Sequence, residues 1–281
     1  MRYEIIHLKD VFPTLGKSGC DPTVTAYLPD NLTEMKRGEQ RHPCLVICPG
    51  GGYQGCSQRE AEPIALHFLP YGFHVFVLTY STAPNAYPTQ VREVAGAMEL
   101  IRQRANDWKS NPSRIALMGF SSGGHLAAHY ATSWDSPAIR AVFPESLPVQ
   151  ASVLCYPVIT ADAPWAHFGS FRVLSGKKEP AQEEIDRFSC EKLVRGDTPP
   201  AFLWHTSEDS GVPAMNSLLY AQALAAHHIP FELHIYPFGA HGLATSDAIT
   251  NRPDELGPDE QYDRTWLYAA GKWLQRMLLD E

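Results

Sequence analysis

The pentapeptide Gly119-Phe120-Ser121-Ser122-Gly123 follows an apolar run, Arg114-Ile115-Ala116-Leu117-Met118, and leads into a small-residue stretch at 123–132 that reads as a helix. No other feature constrains the fold as much. A strand that turns directly into a helix around a serine needs small residues on either side for the turn to close. It also pushes the serine into a strained, exposed pose. Such strand-to-helix steps belong to open, mainly parallel sheets. The rest of the chain agrees. Cys44-Leu45-Val46-Ile47-Cys48 and His74-Val75-Phe76-Val77-Leu78-Thr79-Tyr80 read as buried strands, and residues 151–156, 201–205 and 231–236 as three more. Between them, residues 62–71 read as a helix ended by Gly72, and Val91, Val94, Ala95, Met98 and Ile101 recur at helical spacing. Pro213 suits the first position of a helix running to about residue 227, and residues 261–279 form a closing amphipathic pattern. Residues 3–8 and 23–28 read as a leading antiparallel hairpin.

The expected architecture is therefore one α/β domain over residues 1–281, with a mainly parallel central sheet and helices on both faces. A chain of 281 residues can bury about three quarters of its unfolded surface, so no staples are needed. Residues 161–195 break the alternation. They carry Pro, Gly, aromatic and charged residues without a strand and are long for a plain connection. They read as a small cap insertion or as an ordinary surface excursion; the sequence does not separate the two.

With 23 Lys and Arg against 31 Asp and Glu, the net charge is -8, which works against binding a phosphate backbone. No nucleic-acid partner is expected. The N-terminus lacks the apolar core and small-residue cleavage site of a signal peptide, and no apolar run approaches the roughly 20 residues that span a bilayer. A soluble, cytoplasmic protein without a membrane partner is the expectation. The six cysteines, at 20, 44, 48, 56, 155 and 190, include no C-x-x-C pair. They read as small hydrophobes in a reducing compartment rather than as a disulfide framework or zinc site. A homo-oligomer is open.

A serine hydroxyl needs a base to take its proton, and active groups in such sheets lie beyond the carboxyl ends of the strands. After strand 201–205 comes Thr206-Ser207-Glu208-Asp209, and after strand 231–236 comes Gly239-Ala240-His241-Gly242. The order Ser121, Asp209, His241 is the Ser, Asp, His order of one catalytic-triad class. His241 would shuttle the proton, and Asp209 would hold its tautomer. Glu208 competes for the acid role; Asp209 is preferred because Val212-Pro213 follows at the distance of a loop into the next helix. Pro49-Gly50-Gly51-Gly52-Tyr53 directly follows strand 44–48. Bare glycine backbone can bring N–H donors to a developing oxyanion, so the hole is assigned to the N–H groups of Gly51, Gly52 and Ser122.

The same stretch, Gly50 to Gly55, satisfies G-x-G-x-x-G, but strand 74–80 offers no acidic residue at its end for a ribose. The dinucleotide reading is set aside. Gly16-Lys17-Ser18 is no P-loop, since Val11 stands where the first Gly is required. No cofactor is expected.

Together, Cys48 to Tyr53, Met118 to Ala128, and His205 through Asp209 to Pro213 resemble the α/β-hydrolase serine esterases, in the acetyl-esterase and xylan-esterase-like branch near the hormone-sensitive-lipase group. The resemblance runs from about Pro43 to Gly242. It implies the α/β-hydrolase fold and a cofactor-free serine carboxylesterase acting on short acyl esters, often acetyl groups on sugars or oligosaccharides. Pro49 replaces the His that lipase relatives carry before the glycines. Ser81 follows Tyr80 where many relatives carry Arg.

Tyr53, Glu60 and Trp165 are candidate substrate contacts; Phe168 and Phe171 could line the same pocket, and a packing role fits the aromatics equally well. Arg59, Glu60 and Glu62 are otherwise capping charges of a helix start. His125 and His129 stand four apart but lack the Glu of H-E-x-x-H, so they read as structural, and no metal site is assigned. His205 reads as a core or supporting histidine. Rivals to the esterase reading are a prolyl-type peptidase, an acyltransferase in which an alcohol replaces water, and a non-catalytic binding protein on the same fold.

Overall fold

The computed structural model describes residues 1–18, 21–256 and 260–279. Cys20 lies outside them. Eight strands form one sheet: β1 (Arg2–His7), β2 (Thr23–Leu28), β3 (His42–Cys48), β4 (His74–Thr79), β5 (Ser110–Phe120), β6 (Ala151–Cys155), β7 (Ala201–Thr206) and β8 (Phe231–Tyr236). Their order is β1-β2-β4-β3-β5-β6-β7-β8. From β4 to β8 the strands are parallel, and β2 runs antiparallel to both β1 and β4. The leading hairpin and the parallel body follow the alternation of the sequence.

Period-two side-chain direction divides each strand between two cores. On one face Cys44, Val46 and Cys48 of β3 pack with Val94, Met98 and Ile101 of α2 (Thr89–Gln103) and Leu126, Ala127 and Tyr130 of α3 (Ser122–Ser133). On the other, Leu45 and Ile47 pack with Ile64 and Phe68 of α1 (Glu62–Phe68) and with Trp266, Ala270 and Leu274 of the C-terminal helix Thr265–Leu278. Strands buried on both faces read as unbroken apolar runs, which is why 44–48 and 74–80 stand out in the sequence.

Three of the boundaries that differ from expectation have a clear local reason. α1 gives way to a 3-10 turn, Leu69–Tyr71, where Pro70 has no N–H to donate; Gly72, at φ 89°, then reverses the chain. β5 begins four residues early, but its pairing with β3 is interrupted between Ser110 and Ile115, around Pro112. The closing helix, expected from 261, is interrupted once, at Arg264, between a short turn Glu260–Asp263 and the long helix Thr265–Leu278; there the Thr265 hydroxyl donates to the Tyr262 carbonyl at 2.6 Å, a local bond that competes with the helical ladder.

Residues 161–195 contain two short helices, α4 (Phe168–Ser175) and α5 (Gln182–Phe188). Phe171 and Phe188 stack at 6.3 Å and pack edge-on against His125 of α3, so the segment is anchored in the core. The next long helix, α6 (Met215–Ala226), follows β7, and the C-terminal helix is α7. No helix among the described residues is long and apolar enough to cross a membrane.

Candidate active site

Ser121 sits between β5 and α3 with φ 52° and ψ -118°, a region that side chains rarely enter. Two close approaches require glycine. A Cβ on Gly119 would overlap the Gly123 carbonyl, and one on Gly123 would overlap the carbonyl of Cys48 in the neighbouring strand. The elbow is tied down by its own backbone: Ser121 N–H donates to Cys155 O, and Ser121 O accepts from His125 and Val158, all at 3.0 Å. Ser121 is only 9 % exposed, more enclosed than the elbow alone predicts, because the backbone of Gly50 lies against its Cβ.

The loops after β7 and β8 bring the other two predicted residues to it. His241 Nε2 lies 2.8 Å from Ser121 Oγ, and His241 Nδ1 lies 2.5 Å from Asp209 Oδ2. Asp209 Oδ1 accepts from the N–H groups of Gly211 at 2.9 Å and Val212 at 2.8 Å. His205 adds a further donor: its Nε2 lies 3.2 Å from Asp209 Oδ2 and 2.8 Å from Val212 O, while its Nδ1 meets Ser217 Oγ at 2.9 Å. Burial pushes the Asp209 carboxyl up, but the bonds from His205 and His241 outweigh it and hold the group well below the usual carboxylate range. Glu208 is exposed and accepts instead from Gly239 N–H at 3.2 Å. Between the two acids that the sequence leaves in competition, only Asp209 meets the imidazole.

The glycine loop after β3 turns at Gly51 (φ 128°), Gly52 (φ 63°) and Tyr53 (φ 61°). Gly51 O accepts from Gln54 and Gly55, closing the loop on itself, and a Cβ on Gly51 would overlap the Gly55 carbonyl. Tyr53 N–H reaches Ser122 Oγ at 3.4 Å, which joins the loop to the start of α3. Among the described residues, the N–H groups of Gly51, Gly52 and Ser122 find no acceptor within the protein. Backbone donors left without a protein partner can hold an anion.

Two sequence-predicted substrate contacts are placed elsewhere. Tyr53 has no exposed surface; its hydroxyl bonds His125 Nδ1 at 2.7 Å, so it is core. Glu60 is 3 % exposed, in a short 3-10 turn before α1, and both its oxygens are taken by protein donors. Neither side chain is a pocket wall, because each was positioned from its loop and not from the direction of its side chain. Trp165 is 39 % exposed in the 161–195 segment, and its carbonyl accepts from Asn216 Nδ2.

Asn216 escaped the sequence reading. Fully buried at the start of α6, its Oδ1 accepts from Ile159 and Thr160 N–H, which pins the entry to that segment. His167, also outside that reading, is half-buried; burial first, then the charge of His241, lowers its pKa. Tyr156 follows β6 directly and packs edge-on against His241 at 5.2 Å. The rule that active groups follow strand ends would have found it. His125 and His129 are buried, as read: His125 bonds Tyr53 and Phe188 O, and His129 stacks on Tyr87. A mixed polar and apolar cavity of about 740 Å³, bordered by Tyr27, Glu62, His67 and Arg264, includes none of Ser121, Asp209 and His241.

Comparison with known proteins gives the family and the fold. The BD-FAE family model matches residues 30–224. Endo-1,4-beta-xylanase B of Butyrivibrio fibrisolvens is 33% identical over 229 residues, 79% of this chain and 35% of the xylanase. The acetylxylan esterase of Xylanibacter ruminicola is 32% identical over 237 residues, 82% of this chain and 45% of the esterase. The chain thus spans less than half the length of either relative. The crystal structure of an acetyl ester-xyloside bifunctional hydrolase from Caldicellulosiruptor lactoaceticus superposes with a TM-score of 0.82 at 35% identity, covering 98% of this chain and 96% of that one. The matched span holds β3 to β7, the glycine loop, Ser121 and Asp209, and the chain accordingly belongs to the BD-FAE family and has the α/β-hydrolase fold.

Proposed function

We propose that this protein is a serine carboxylesterase that removes short acyl groups, chiefly acetyl, from sugars or oligosaccharides. One observation carries the reading: the unbroken chain from Ser121 Oγ to His241 at 2.8 Å and from His241 to Asp209 at 2.5 Å, seated on a strained elbow. As His241 Nε2 takes the hydroxyl proton, Ser121 Oγ forms a bond to the ester carbonyl carbon. The carbonyl oxygen becomes an oxyanion facing the N–H groups of Gly51, Gly52 and Ser122. Collapse breaks the bond to the alkoxy oxygen, and His241 returns its proton to the departing alcohol. Water, deprotonated by the same imidazole, then attacks the acyl-serine; the carboxylic acid leaves and Ser121 is restored. Asp209 keeps a proton on Nδ1, so that Nε2 faces the serine as an acceptor, and it stabilises the imidazolium.

The acetyl and sugar parts of the reading are supported by the acetylxylan esterase and the acetyl ester-xyloside hydrolase among the similar proteins. The 161–195 segment acts as a cap, its entry held by the Asn216 side chain at Ile159, Thr160 and Trp165. A cytoplasmic setting is supported by the free thiols of Cys44, Cys48, Cys56, Cys155 and Cys190.

The test is hydrolysis of p-nitrophenyl acetate by the wild type and Ser121→Ala, with mass spectrometry after a serine-directed phosphonate. Loss of turnover in the variant, and phosphonate on Ser121 of the wild type, are expected. An active Ser121→Ala would remove the assignment. A folded wild type with neither turnover nor label would favour a binding protein.

A further inference from the structure

Glu60 is a buried carboxylate that these steps leave unused, yet it touches both halves of the site. Its Oε2 accepts the Gly50 N–H at 2.7 Å, immediately before the glycines of the oxyanion loop. Its Oε1 accepts the Tyr156 hydroxyl at 2.7 Å. The Tyr156 oxygen in turn accepts the N–H of Ala244, three residues beyond His241, at 2.9 Å. The Tyr156 ring lies edge-on to His241, and its backbone is held at φ 34°. A single carboxylate therefore connects the loop after β3, the end of β6 and the loop after β8.

We propose that Glu60, acting through Tyr156, is a positioning residue that holds the oxyanion glycines and His241 in one register. The proposal rests on the esterase reading above. The donor–acceptor pattern makes the carboxylate specific. Gly50 N–H can only donate. Tyr156 already accepts from Ala244, and its own proton needs an acceptor. Both Glu60 oxygens must therefore accept, and an amide cannot supply that pattern. A glutamine whose oxygen faces Gly50 leaves the Tyr156 proton without a partner. Turned over, it sets an NH2 against the Gly50 N–H. Burial, the larger effect, pushes the Glu60 carboxyl up, and the bonds from Tyr156 and Gly50 offset part of that rise.

The experiment compares wild type, Glu60→Gln, Tyr156→Phe and the double variant on p-nitrophenyl acetate. Each rate is divided by the concentration of serine titrated with the phosphonate, so loss of folded enzyme does not count as loss of catalysis. For Glu60→Gln, kcat per titrated serine is expected to fall about 10- to 100-fold, as misplacement by a fraction of an ångström to an ångström does. KM should stay within about threefold, because substrate contacts are untouched. Tyr156→Phe should fall in the same direction, and the double variant should be no worse than the poorer single by more than about twofold, as one network requires. Singles that both keep kcat per titrated serine within about threefold of wild type would overturn the proposal, as would losses that simply multiply in the double. If Glu60→Gln does not fold, Tyr156→Phe decides alone by the same threshold. Wild-type turnover that does not depend on Ser121 would instead remove the esterase reading itself.

Discussion

Asp209→Asn tests the triad most sharply, because the structure predicts which way the new amide must face. Asp209 accepts on four sides: Gly211 and Val212 N–H at Oδ1, and His241 and His205 at Oδ2. The two backbone donors are fixed N–H groups, so the asparagine oxygen must take the Oδ1 position. Its NH2 then faces His241 Nδ1. That nitrogen must become the acceptor, which moves the imidazole proton to Nε2, where Ser121 Oγ lies at 2.8 Å. A protonated Nε2 cannot take the serine proton. The size of the chain and the side-chain shape are preserved, so the fold should stand while kcat falls by about 10⁴-fold, or about 5.5 kcal/mol of barrier. Glu208→Gln touches an exposed carboxylate that, among the described residues, accepts only the Gly239 N–H, and its kcat should stay within about threefold of wild type. The assay is kcat on p-nitrophenyl acetate, with thermal melts to show that both variants are folded. An Asp209→Asn enzyme that keeps more than about a tenth of wild-type kcat would refute the tautomer argument, and a larger loss in Glu208→Gln would move the acid.

Three further outcomes are expected. Gly51→Ala places a Cβ on the Gly55 carbonyl at a φ of 128°, so the loop must shift and kcat should drop about 10²- to 10³-fold; a rate near wild type would show that the oxyanion is held elsewhere. His129, pushed down to about 3 by burial first, takes up a proton more readily unfolded than folded, so it favours folding above its ordinary 6.5 and costs stability as pH falls below that value. His129→Phe, which keeps a ring against Tyr87, should therefore lose less Tm than wild type between about pH 6.5 and about pH 4; parallel Tm curves would contradict the shift. Rates on p-nitrophenyl esters should fall as the acyl chain grows beyond about four carbons, and equal rates on long chains would point to an open, lipase-like cleft.

The fold was legible because its inner strands are buried on both faces and its punctuation is strong. Ser121, Asp209 and His241 were legible because strand ends mark where chemistry sits, and each residue follows a strand by one to five positions. Tyr53 and Glu60 were misplaced for the converse reason. Both lie in the loop after β3, but one ring points into the core and the other carboxylate beneath the glycines, and no local pattern records that direction.

The sequence by itself determined the order of elements, the serine turn between β5 and α3, and the placing of Ser121, His241 and the Glu208-Asp209 pair just beyond strand ends. These are local matters, set by periodicity, backbone conformation and distance from a strand end. The tertiary structure decided what depends on partners far apart in the chain. It chose Asp209 over its neighbour Glu208 by placing only one of them against an imidazole 32 residues away. It also joined Glu60 to Tyr156, 96 residues apart, and Asn216 to Ile159, just before the 161–195 segment. A buried polar atom must find a partner somewhere, but only the packed fold says which one.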